Sequence, residues 1–117
     1  MNKTLFKSNS WPSIYNSIPE NATVMYEANV SLGCDNIISN KKTLLNIVKE
    51  TNEYYLVINY DKRIYFKQLI TDINYRSDTK NVVKITARYY NNAPIISIYF
   101  NERIEYLTFK HSIKILV

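Results

Sequence analysis

The sequence predicts an α+β fold: a mainly antiparallel sheet of five to six strands, one main helix over about residues 36–51 and a short N-terminal helix over about 11–18. Three observations predict it. Residues 23–32 alternate strictly along the chain, the second half is a succession of short β-branched and aromatic runs broken by Asp, Asn and Lys, and helical apolar spacing is confined to the first half. No repeat, low-complexity run or linker interrupts the 117 residues, so one domain, 1–117, is expected.

Ser10 is placed to cap the first helix, Pro12 is tolerated in its first turn, and Pro19 stops it. Trp11, Ile14, Tyr15 and Ile18 fall at i, i+3, i+4 and i+7, one apolar stripe that either packs on the core or is offered to a partner protein. In the strand that follows, Val24, Tyr26, Ala28, Val30 and Leu32 point one way, and Thr23, Met25, Glu27, Asn29 and Ser31 the other. Gly33, the only glycine, is expected to turn the chain with a positive φ. Asp35 or Asn40 then caps the main helix, which buries Ile37, Ile38, Leu44, Leu45 and Val48.

The second half reads as a meander. Residues 54–60 and 63–70 pair through Asp61-Lys62, and 82–90 and 95–100 pair through Asn91-Asn92. Residues 103–109 pair back through Asn101-Glu102, 113–117 supply a last strand, and 71–80 form the longest loop.

The net charge of +5 is unevenly placed: residues 1–60 carry five basic and five acidic side chains, and 61–117 carry ten basic against five acidic. Period-two alternation sorts these cations. Arg63, Tyr65 and Lys67 share one face of their strand, Lys84, Thr86, Arg88 and Tyr90 one face of theirs, with Ser97 and Tyr99, and Arg103 and Glu105, on the following two. Cations neutralise phosphates, and aromatic rings stack on bases for about 1–3 kcal/mol each. Sheet surfaces of RNA-binding folds combine the two, although no RNP-type motif is present here. Arg63, Tyr65, Lys67, Lys84, Arg88, Tyr90, Tyr99 and Arg103 are therefore the expected anion-binding residues. The plain alternative is a solvated strand face. A third reading follows from Leu69, Val82, Ile95, Leu107 and Phe109, which fall on the same face: either the sheet curls toward a barrel, or a second copy covers it in a homo-oligomer.

Catalytic chemistry finds little footing. One cysteine, Cys34, forms no intrachain disulfide or zinc motif, and one glycine excludes phosphate-cradling loops. His111 is the sole histidine, with no local carboxylate to orient it. Asp72 with Asp78-Thr79-Lys80 resembles the two carboxylates and a lysine of metal-dependent nucleases, but on an expected loop rather than a rigid element. No catalytic residue, metal or cofactor is expected.

The expected function is thus a small non-catalytic binder of an anionic ligand, nucleic acid or a nucleotide. The alternative is an inhibitor or immunity-type protein that blocks a host or toxin protein, and a binder that sequesters a nucleotide signal joins the two. Asn and Ile make up roughly a quarter of the chain, a usage that points to a low-GC source and toward a phage or viral anti-defence factor. No apolar run approaches the ~20 residues that cross a bilayer, and residues 1–10 lack the apolar core of a secretory signal, so a cytoplasmic location is expected, in the host cell if the protein is viral.

Overall fold

A computed structural model describes residues 22–34, 37–38, 43–61, 63–77, 80–88 and 93–117. The short helix expected over 11–18, with Trp11, Ile14, Tyr15 and Ile18, lies outside the described residues. Eight strands and one α-helix follow in chain order: β1 (Ala22–Cys34), β2 (Ile37–Ile38), β3 (Thr43–Glu50), β4 (Glu53–Tyr60), β5 (Arg63–Leu69), β6 (Ile73–Ser77), β7 (Val82–Ala87), β8 (Ile96–Phe100) and α1 (Arg103–Leu116). Every pairing is antiparallel, in the order β5-β4-β3-β1-β8-β7-β6, with the two-residue β2 beside β1. The α+β class stands. The path has seven strands rather than five or six.

The main helix expected over 36–51 is instead β2 and β3. Leu45 and Ile47 face the main core, while Asn46 and Val48, on the opposite face, are also buried. A strand buried on both sides carries no polar–apolar alternation, so its apolar run fits either period. The β-branched Thr43, Ile47 and Val48 favour the extended form. The chain reverses after β3 at Thr51, whose φ of 58° is uncommon for a β-branched residue. Gly33 does not turn the chain: it lies within β1, opposite Ile38 on one side and Ser97 on the other, and no described glycine has a positive φ.

Residues 103–109 and 113–117, expected as strands, instead belong to one continuous helix, α1, and its C-cap Val117. Its buried residues Tyr106, Phe109 and Ile113 recur at helical spacing. Phe109 packs against the rings of Tyr26, Phe100 and Tyr75 at centroid separations of 5.6, 5.3 and 6.4 Å. Tyr26 adds a tie by donating its hydroxyl hydrogen bond to the Glu105 carbonyl at 2.9 Å. The segment expected as a loop over 71–80 contains a 3₁₀ turn (Ile70–Asp72) and β6.

That turn determines the shape. β5 and β6 end the strand order, yet only Ile70–Asp72 separates them in the chain. The four steps from Leu69 to Ile73 span at most about 14 Å. The edges of a flat seven-stranded sheet lie about 29 Å apart, six spacings of ~4.8 Å. The sheet therefore curls, bringing its edges together at this end, around a core fed by β1, β3–β8 and α1. Curling, one of the two outcomes expected from the apolar excess, occurs. Phe109 and Val82 are buried, whereas Ile95 and Leu107 are exposed.

Two bulges reset the side-chain parity. The β1–β3 register shifts between Val24 and Tyr26, so Val24, expected with the core set, is 42% exposed, while Ala28, Val30 and Leu32 are buried. Asn46 supports this bulge, donating from Nδ2 to the Tyr26 carbonyl and to Glu27 Oε2, each at 3.3 Å. A second shift, between Ile58 and Asn59, makes Tyr65 the extra residue in β5.

Candidate anion-binding face

Inward placement of Ile73, Val83, Ile85, Ala87, Ile96, Ile98 and Phe100 turns the intervening residues of β6, β7 and β8 to the opposite, convex face. Register then fixes neighbours on that face: Arg76 opposite Lys84, Lys84 opposite Ser97, Asn74 opposite Thr86, and Val82 opposite Tyr99. Arg88 follows the end of β7. Its Nε donates to Asn74 Oδ1 at 3.2 Å and its backbone N–H to the Asp72 carbonyl at 2.7 Å, which fixes it beside β6. Arg76, Lys84 and Arg88 thus come from two adjacent strands, with the half-buried Tyr99 diagonal to Lys84. None of the described outward residues of β6, β7 and β8 is a carboxylate.

Three of the expected residues, Lys84, Arg88 and Tyr99, lie on this face, with Arg88 four positions beyond Lys84 and Tyr99 on the neighbouring strand. Tyr90 lies outside the described residues. The others are elsewhere. Arg63, Tyr65 and Lys67 do not share a face, because Tyr65 is the bulged residue. Arg63 pairs with Tyr60, and Lys67 with Val57 on the opposite side of the sheet. Tyr65 instead packs against the main core, its ring 5.6 Å from that of Tyr60. The Lys67 ammonium binds Glu50 Oε2 at 3.0 Å and lies 4.6 Å from the Tyr55 ring centroid. Burial pulls its pKa below the usual lysine range, against the opposing pull of Glu50. Its charge is engaged within the protein.

Arg103 and Glu105 belong to the first turn of α1, not to a strand. The Arg103 guanidinium lies 5.3 Å from the Tyr106 ring centroid, and its Nη1 donates to Asn81 Oδ1 at 3.5 Å. His111 is exposed on α1.

Arg76 was not among the expected residues. Its signal is the alternation of Ile73 and Tyr75 inward with Asn74 and Arg76 outward, a strand of only five residues inside a polar stretch. The arrangement can neutralise successive phosphates and offer one ring for stacking, but a convex surface encloses nothing. No protein-family model and no curated protein sequence matches the chain.

Proposed function

We propose that the protein is a non-catalytic nucleic-acid-binding module that contacts the phosphate backbone through Arg76, Lys84 and Arg88 and stacks a base on Tyr99. The observation that supports this reading is the placement of Arg76, Lys84 and Arg88 with Tyr99 on one face, where no described residue of β6–β8 is a carboxylate and Asp72 lies beside Arg88. Convexity favours a polymer over a free nucleotide, because small ligands bind in concave sites that bury most of their surface. A chain of phosphates can instead lie across an open surface and gain affinity by counterion release.

Fluorescence anisotropy with a labelled single-stranded oligonucleotide, repeated over a salt series, tests the proposal. Each phosphate contact adds about 0.7 to the slope of log affinity against log salt for a single strand, so Lys84→Ala with Arg88→Ala should lower the slope by about 1.4. Tyr99→Ala should weaken binding by about 1–3 kcal/mol with little change in slope. Unchanged affinity and slope in the double variant would sink the reading.

A further inference from the structure

A second cationic constellation lies between α1 and the β6–β7 edge, apart from the convex face. A cleft of about 230 Å³ opens there, lined by Val83, Phe109 and Ile113 from the core, with Tyr75 beside them. Its charged lining residues among those described are Lys110 and Lys114, one turn apart on α1 and both exposed, and no described carboxylate lines it. Like charges at i and i+4 disfavour a helix, although a position near its C-terminus offsets part of that cost.

Donors are already oriented at one end of the cleft. Ser77, which also lines it, is the largest influence lowering the pKa of the Tyr106 phenol. The Lys110 ammonium reaches the phenol oxygen at 3.4 Å. Arg103 and Lys110 lie 5.3 and 5.1 Å from the Tyr106 ring centroid. The Ser77 hydrogen bond, followed by that from Lys110, holds the phenol below its usual pKa range against the effect of desolvation. The Tyr106 oxygen thus sits where the positive charges of Lys110 and Arg103 gather. A lysine ammonium carries three donor hydrogens, so Lys110 can hold Tyr106 and still serve a ligand.

We propose that this cleft binds a small amphipathic anion: an apolar body over Val83, Phe109 and Ile113, carrying one carboxylate or phosphate between Lys110 and Lys114. A cleft of this size has room for a short alkyl body, on the order of eight carbons. The apolar lining supplies attraction for the body, and the lysines discriminate the head by charge.

Amide NMR titrations of the intact chain with octanoate and octyl phosphate test this, with 1-octanol and octylammonium as neutral and cationic counterparts. Both anions should shift the amides of Ser77, Val83 and residues 109–114 saturably, with at least about fivefold tighter binding than 1-octanol and no saturation by octylammonium, as expected for charge-assisted contacts. Lys110→Met with Lys114→Met keeps the aliphatic stems. It should weaken both anions about tenfold and leave 1-octanol unchanged, while the amide spectrum reports that the fold is intact. Equal binding of octanol and octanoate, absence of shifts at these residues, or undiminished octanoate binding by the double variant would each overturn the assignment. Which anion binds tighter separates a carboxylate from a phosphate ligand.

Discussion

Phe109→Ala is the substitution that bears most directly on whether residues 103–116 form a helix docked in the core. Phe109 is 1% exposed and meets the rings of Tyr26, Phe100 and Tyr75. Truncating a buried Phe to Ala costs about 3–5 kcal/mol in transfer and cavity terms. Three ring neighbours keep this site above the lower end, since aromatic pairs contribute about 0.5–1.5 kcal/mol beyond burial. A loss of about 4 kcal/mol is therefore expected. At roughly 2.1 cal/mol/K per residue over 117 residues, the unfolding entropy is about 0.25 kcal/mol/K, so Tm should fall by about 16 °C. Urea unfolding followed by circular dichroism measures the loss, and a thermal melt the shift in Tm, with Phe109→Leu as a milder control. Were 103–109 an exposed-face strand, the same change would stay within about 0.5 kcal/mol. A measured loss below 1 kcal/mol would refute the docked-helix account.

Thr51→Gly should stabilise the protein by about 1 kcal/mol in the same assay, because glycine accepts the 58° φ of the β3–β4 turn at no steric cost; destabilisation would mean that this conformation carries no strain. Asn46→Ala should cost about 1–3 kcal/mol, since it removes both Nδ2 hydrogen bonds that the buried Asn46 makes beside the β1 bulge; a neutral result would show that the bulge does not depend on it. NMR titration of ring-labelled tyrosines should find Tyr106 ionising before Tyr26, Tyr55 and Tyr75, whose phenols are raised chiefly by desolvation. Stability from the raised phenols is full below the unfolded pKa of about 10 and lost as pH rises toward their folded values, so alkaline unfolding should begin above about pH 10. Lys110→Met should move the Tyr106 titration upward, and an unmoved curve would remove Lys110 as a cause.

What could be read from the sequence follows from which elements keep one face wet. The β4–β5 hairpin and the parity of β7 and β8 emerge cleanly, because Lys84, Thr86, Ser97 and Tyr99 alternate with buried Ile85, Ile96 and Ile98. β3 loses its alternation by being buried on both faces. In α1 the stripe Tyr106, Phe109 and Ile113 is masked by Ile104, Leu107 and Ile115, which are apolar yet exposed. Counting alternate residues through 63–67 fails at the Tyr65 bulge, since one inserted residue reverses the face of everything beyond it. Part of the candidate face was thus legible where strands ran without interruption. Arg76 was missed for want of length, and Arg63, Lys67 and Arg103 were misplaced by tertiary features that leave no local trace.

The three residues joining β5 to β6 also divide the chain in time. On one side of Ile70–Asp72, β1, β3, β4 and β5 are each hydrogen-bonded to the next in sequence order; on the other, β6, β7 and β8 are likewise sequential. Among the described residues, only the β1–β8 seam, four residue pairs from Val30–Phe100 to Gly33–Ser97, joins these two meanders by strand pairing, and its partners lie 64–70 positions apart. Local pairing closes short loops cheaply, while the seam must close the longest one, so the meanders should form early and dock last. A chain cut within Ile70–Asp72 would then yield two fragments that reassemble through that seam, with a rate set by concentration rather than by loop closure.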